Sequence, residues 1–204
     1  MRESEIKDLL KKRLNFSNND LINLEIFTKL LLEHNSKYNL ISKSTESSIW
    51  SRHILDSAQL VDFIDFNSKN ILADFGSGAG FPGIVLAIFN KNSMFHVNLY
   101  EKSPVKRDFL NLIKNELNIK LDLHENVYSD EIKADIVVCR AFKKINEIID
   151  ISREILKKPH KIIILKGKNA EEEINKVSLA PNYSYKLISS ISDSDSKIIE
   201  IKVS

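Results

Sequence analysis

Ile71-Leu72-Ala73-Asp74-Phe75-Gly76-Ser77-Gly78-Ala79-Gly80-Phe81-Pro82-Gly83 is the stretch on which the fold turns. Its first five residues are apolar but for one acid and read as a short buried strand. Four of the chain's five glycines then fall within residues 76–83. Pro82 stands near the first turn of a helix that runs to Phe89, where a missing N–H costs least. Glycines let the backbone turn sharply and let a ligand approach with no Cβ in the way. The N–H groups at the start of the helix then face that ligand. A tight turn with no ligand is the plain alternative, and the concentration of glycine in one loop weighs against it.

The same grammar repeats on the C-terminal side. Residues 95–100 read as a second strand and 104–117 as a helix with Val105, Phe109, Leu112, Ile113 and Leu117 on one side. Residues 119–123 and 134–139 are further strands, 145–156 a helix, and 161–166, with its Ile-Ile-Ile-Leu, a central strand. Strands alternating with helices predict a parallel, doubly wound sheet covered on both faces. Residues 183–191 and 198–203 are separated only by Ser192-Asp193-Ser194-Asp195-Ser196, too little for a parallel crossover, so these two strands must be antiparallel. The fold class expected is therefore α/β, a Rossmann-like doubly wound sheet ending in an antiparallel hairpin. Class I S-adenosylmethionine-dependent methyltransferases have that arrangement. A dinucleotide dehydrogenase more often continues into a second nucleotide-binding half and a catalytic domain, and this sequence stops at Ser204.

Residues 1–65 lack the alternation and read as helices. Ile6, Leu9, Leu10 and Leu14 recur at helical spacing. Asp20 is placed to cap a second helix with Ile22, Ile26, Phe27 and Leu30 as its stripe. Ser44 or Thr45 opens a third, carrying Ile49, Trp50, Ile54, Leu55, Ala58 and Val61, with Tyr38-Asn39-Leu40-Ile41-Ser42 as the break before it. The organisation expected is a helical N-terminal extension, 1–65, on a Rossmann-like domain, 66–204.

Composition narrows the class further. A hydrophobic fraction of 43% and a charged fraction of 28% suit a globular chain with a core to fill. No apolar run approaches the ~18–20 residues of a membrane span. The start, Met1-Arg2-Glu3-Ser4-Glu5-Ile6-Lys7-Asp8, puts charges where a signal peptide needs its apolar core. Cys139 is the only cysteine, which excludes an internal disulfide and a cysteine-rich zinc site. His34, His96, His124 and His160 lack ligand spacing, so no metal is expected. These features predict a cytoplasmic protein without a membrane partner. The 30 basic and 28 acidic groups leave a net charge of +2. Any contact with nucleic acid must then come from local clusters such as Lys11-Lys12-Arg13 or Lys102, Lys106 and Arg107. Lys157-Lys158 and Lys161 read as flanks of a strand.

The glycine stretch matches G-x-G-x-G from Gly76, a methyltransferase form, and G-x-G-x-x-G from Gly78, a dinucleotide form. Gly76 sits directly behind the strand, as a first glycine should, whereas Gly78 comes late. Glu101, at the end of the second strand, is placed to accept hydrogen bonds from ribose hydroxyls, which marks a nucleoside without saying which.

Four blocks in order carry a resemblance. Trp50-Ser51-Arg52-His53-Ile54-Leu55-Asp56-Ser57 resembles the R-H-I-L-D-S signature that precedes the glycine loop in one bacterial family. Gly76-Ser77-Gly78-Ala79-Gly80-Phe81-Pro82-Gly83-Ile84 is similar to its G-x-G-x-G-[FL]-P-G-I loop, and Cys139-Arg140-Ala141-Phe142 to its S-R-A-F after strand four. Leu165-Lys166-Gly167 with Glu171-Glu172-Glu173-Ile174 resembles its L-K-G…E-E-I block. The chain is thereby identified, from about residue 20 to 203, as a member of the glucose-inhibited division protein B family, the small-subunit ribosomal RNA methyltransferases G. The resemblance implies S-adenosylmethionine as methyl donor and N7 of one guanine in 16S ribosomal RNA as acceptor, in free RNA or in the small subunit or its precursor. It places the donor on Gly76, Phe81 and Arg140, with Gly78 in the same loop and Glu101 replacing the more usual Asp. The adenine-contacting pair, often Val-Glu, falls on Val127-Tyr128, where an aromatic ring can stack on adenine but cannot accept its amino hydrogens.

The residues agree with N7 chemistry. Amino-group methylation usually shows Asn/Asp-Pro-Pro-aromatic after strand four, and Cys139-Arg140-Ala141-Phe142 has no proline. Cytosine C5 methylation needs a thiolate, and Cys139 reads as the last residue of a buried strand. Guanine N7 loses no proton, so no catalytic base is expected. Arg52-His53 reads either as a surface Arg and a partly buried His bonded to Asp56, or as a pair facing donor or RNA. Lys166, at the carboxyl end of a central strand where ligands bind, is expected to face RNA phosphate or base. Two other classes remain open at this stage. A nicotinamide-dependent oxidoreductase would need a substrate domain, and a non-catalytic RNA-binding module would not need the glycine loop and Glu101 together.

Overall fold

Side chains alternate along each short strand, so each strand offers apolar residues to both layers of helices. In a computed structural model that describes residues 1–128, 132–156 and 158–204, seven strands form one sheet. They are β1 (Ile71–Phe75), β2 (His96–Tyr100), β3 (Asp122–His124), β4 (Ile136–Arg140), β5 (His160–Lys166), β6 (Tyr183–Ser189) and β7 (Lys197–Val203). Their order is β3-β2-β1-β4-β5-β7-β6. The first five run parallel. β7 lies antiparallel between β5 and β6, in register from His160↔Val203 to Lys166↔Lys197 on one side and from Tyr183↔Val203 to Ser189↔Lys197 on the other. Lys157 lies outside the described residues.

Helices α1 (Glu3–Lys12) and α2 (Asn18–Tyr38) precede a run of short helical turns. These are 3-10 turns at Lys43–Ser48 and Gln59–Phe63, a π-helical turn at Trp50–Leu55, and α3 (Asp56–Ala58). Then come α4 (Gly83–Phe89), α5 (Pro104–Glu116), α6 (Ile145–Ile155) and α7 (Ala170–Asn175). Leu72, Leu99, Val138 and Ile163 share one hydrophobic cluster with Leu10, Phe27, Ile54, Ile84 and Leu110, from the N-terminal helices and α4 and α5. Ala73, Val137, Cys139 and Ile164 share the other with Ile148 and Ile174 of α6 and α7. Phe27 of α2 packs on Phe81 of the glycine loop and on Phe109 of α5, with ring centroids 5.2 and 6.4 Å apart. The N-terminal helices thus brace the loop from behind. No helix of the described residues is long and apolar enough to cross a membrane.

Three expectations are corrected. The buried stripe of α2 is Leu24, Phe27 and Leu31, while Ile22 and Ile26 are exposed. Apolar residues surround this helix almost completely, so periodicity does not choose a face; Phe81 and Phe109 choose it. The cap of α2 is Ser17, whose hydroxyl accepts from the Asp20 N–H at 3.2 Å while the Asp20 carboxylate takes the Ser17 N–H at 2.9 Å. Asp20 is the returning half of that capping box, a device worth about 1 kcal/mol. The third helix is broken into 3-10, π and α turns, and α7 was not expected.

Candidate active site

The loop after β1 is pinned by backbone bonds before any ligand is considered. The N–H groups of Gly76 and Ser77 donate to the Tyr100 carbonyl at 2.9 and 3.0 Å. The Glu101 carboxylate takes the Gly78 N–H on one oxygen and the Ser103 N–H on the other, both at 2.8 Å. Beneath the loop, Asp74 is fully buried and takes the Gly83 N–H at 2.9 Å. Burial pushes its carboxyl up to about 7. A Cβ at Gly76 would come 2.4 Å from the Phe142 ring, whereas one at Gly78 (φ +57°) would meet nothing nearer than a backbone oxygen at 3.9 Å. Gly78 therefore borders open space, and its left-handed backbone is what calls for glycine there.

That space is a cleft of about 420 Å³. All seven residues expected to hold the donor line it: Gly76, Gly78, Phe81, Glu101, Val127, Tyr128 and Arg140. Val127 is buried and Tyr128 exposed, one forming wall and the other rim. Residues 40–42, with Thr45 and Phe142, close the remaining sides.

Arg140, at the end of β4, forms the far wall. Its guanidinium donates to the Arg52 carbonyl at 2.9 Å and to His53 Nδ1 at 2.6 Å, and lies 5.1 Å over the Phe81 ring. An arginine can only donate, so His53 Nδ1 accepts and its proton sits on Nε2, which donates to Thr45 Oγ1 at 2.9 Å. The Thr45 hydroxyl in turn donates to the Ser42 carbonyl at 2.7 Å. Burial, helped by the charges of Arg140 and Arg52, pushes the His53 imidazole down to about 3. His53 is neutral and committed at both nitrogens. It does not bond Asp56, which corrects one reading of the sequence. Asp56 turns instead toward Ser192 (2.8 Å), Gln59 (3.1 Å) and Arg140 (3.5 Å).

A second cleft of about 330 Å³ adjoins the first and shares Thr45, His53, Arg140 and Ala141 with it. Arg52, Asp56, Lys166 and Asp193 also line it.

The profile described as rRNA small subunit methyltransferase G matches residues 20–199. A ribosomal RNA small subunit methyltransferase G of Pelagibacter ubique is 35% identical over 199 residues, 95% of this chain and 93% of that protein. One of Rickettsia felis is 38% identical over 179 residues, 87% of this chain and 91% of that protein. The chain belongs to the rRNA small subunit methyltransferase G family. Among solved structures, a SAM dependent methyltransferase from Aquifex aeolicus superposes with a TM-score of 0.55 at 12% identity, over 78% of this chain and 94% of that one. That likeness is one of fold.

Within this member of the methyltransferase G family, Lys166 is not the open cation expected. Its ammonium bonds both Glu173 carboxylate oxygens at 3.0 and 2.9 Å and the Lys143 carbonyl at 3.0 Å. Three donors are thereby used. Arg52 is exposed and paired with Asp193 at 2.6 Å. Cys139 is fully buried, and burial pushes its thiol well up, so it stays protonated. Sequence reading missed Thr45 and Asp56. Asp56 was within sight as the acid of the R-H-I-L-D-S block, but its partner Ser192 lies far along the chain.

Proposed function

We propose that this protein transfers a methyl group from S-adenosylmethionine to N7 of a guanine in 16S ribosomal RNA, free or within the small subunit or its precursor. The observation that carries the choice of N7 is the state of the groups around the shared wall. His53 has both nitrogens bonded and is held neutral, Cys139 is a buried thiol, and Asp74 is sealed beneath the loop. None is poised to remove a proton from an amino group or to attack a ring carbon, and the carboxylate of Asp56 is held by Ser192, Gln59 and Arg140.

When bound, S-adenosylmethionine supplies a methyl group on a positively charged sulfur. Gly76 and Gly78 would leave room for it, Glu101 would accept from its ribose, and Val127 and Tyr128 would flank its adenine. Phe81 and Arg140 would border the end that meets the second cleft, where Arg52 would face the RNA, with His53 and Lys166 in the wall behind it. His53 fixes Arg140, and Lys166 fixes the loop after β4 through Lys143. N7 carries a lone pair in the ring plane and sheds no proton, so the protein's task is placement. Alignment of reacting groups is worth up to about 7–11 kcal/mol in favourable intramolecular reactions.

Reduction and aniline treatment of the product RNA should therefore cut it at N7-methylguanosine. Single-turnover rates at saturating donor and RNA should be nearly flat between about pH 6 and 9, without the bell of an acid–base pair. A methyl on N2, or a steep basic limb near neutrality, would overturn the reading.

A further inference from the structure

The second cleft opens at the carboxyl ends of β4 and β5, between the Trp50–Leu55 turn and the loop joining β6 to β7. Four of its lining residues also line the donor cleft, so the two clefts meet along Thr45, His53, Arg140 and Ala141 and a ligand in the second lies next to the donor. Enzymes that act on a base must take it out of its stack and hold it by its Watson–Crick edge in a fitted pocket. We infer that this cleft receives the target guanine, turned out of the RNA, and that the Asp56 carboxylate reads its N1–H and N2 amino edge. The inference rests on the methyl-transfer reading above and adds the site that selects the base.

The charges in the cleft single out Asp56. Asp193 has one oxygen on Arg52 (2.6 Å) and the other on the Asp195 N–H (2.9 Å). Lys166 is spent on Glu173 and Lys143. Asp56 uses one oxygen on Ser192 and Gln59, but the other faces Arg140 only at 3.5 Å, outside the usual 2.7–3.2 Å range. Asp56 lines the cleft, and that oxygen keeps a lone pair beyond its ion pair with Arg140. Guanine alone among the four bases presents two adjacent donors, N1–H and the N2 amino group, on its pairing edge. N7 lies on the opposite side of the purine, so a base held in this way keeps its lone pair clear of the carboxylate. A ribose within an RNA chain offers a single hydroxyl and a phosphate offers no donor, so neither matches the two adjacent donors of guanine.

Two RNAs separate these occupants: 16S RNA with guanosine, or with inosine, at the methylated position. Inosine keeps N7 and loses only the N2 amino group. For the unaltered enzyme, kcat/KM should be about tenfold or more lower on inosine, because the acceptor is left without its donor. Asp56→Asn should lose a comparable factor on guanosine and treat the two RNAs alike. A variant that is slower on both RNAs with the ratio preserved would show Asp56 to be structural and overturn the assignment. Equal rates for the unaltered enzyme on guanosine and inosine would overturn it without any variant, which keeps the test valid should Asp56→Asn fail to fold. The aniline cut on the guanosine RNA separates the two levels. With no N7 product the methyl-transfer reading fails; with equal N7 products from both RNAs only the base-reading fails.

Discussion

A Cβ at Gly76, Gly80 or Gly83 would land 2.2–2.5 Å from a neighbouring side chain, whereas one at Gly78 would point into open space. Three glycines of the loop are therefore kept small by packing, and the fourth by its left-handed backbone beside the cleft. Asp is tolerated in the left-handed region better than most residues, so Gly78→Asp should fold. Its carboxylate would enter the cleft beside Glu101. Calorimetric affinity for S-adenosylmethionine should fall at least about tenfold, from lost room and like charge, while the thermal midpoint stays near that of the parent. Unchanged affinity in a folded variant would remove the donor from this loop. The residues of the first cleft were legible because loop, strand end and acid lie in local patterns. The second cleft was not, because the surroundings of Asp56 depend on where Ser192 and Arg140 come to rest.

Glu173 shows why an element escaped the sequence reading. In Ala170-Glu171-Glu172-Glu173-Ile174-Asn175 three acids in a row look like a solvated face. In the fold, Glu173 takes the Ile145 N–H at 2.6 Å at the start of α6 and clasps Lys166 at the end of β5. The pair fastens two elements to the sheet next to the second cleft. Lys166→Met would leave a half-buried carboxylate without its partner, at a cost of about 1–3 kcal/mol in a urea melt. Single-turnover methylation should fall further in that variant than in Lys11→Ala/Lys12→Ala, whose side chains are exposed on α1. If the N-terminal pair proves the more damaging, RNA docks on the helical extension. A similar long-range choice decided α2: the alternating strands were visible in sequence because period two is stringent, while a helix apolar on most sides waits for its partner.

For the molecule as a whole, His53 and Asp74, two of the buried titrating groups of the site, pull stability in opposite directions. His53 is held at about 3 against 6.5 in an open chain. Between those values the unfolded chain takes the proton and the folded one does not, so this contribution is full above 6.5 and is lost as pH falls. Asp74 is held at about 7 against 3.8. There the folded chain keeps the proton, so the contribution is full below about 3.8 and is lost as pH rises. Each slope is at most about 1.4 kcal/mol per pH unit, and the windows overlap from about pH 4 to 6.5. Urea melts at pH 4.5, 5.5 and 6.5 should find these two contributions cancelling in the parent. Asp74→Asn should gain stability with rising pH relative to the parent, and His53→Asn should lose it; parallel slopes in all three would mean that neither group is perturbed as described. The insertion of β7 between β5 and β6 has a further consequence, in the order of synthesis. A ribosome delivers β6 before the strand to which it must bond, so the apolar edge of β5 stays open to strands of other chains until residues 197–203 emerge. The loop over the second cleft also settles only then. In a nascent chain the first cleft takes shape before the second.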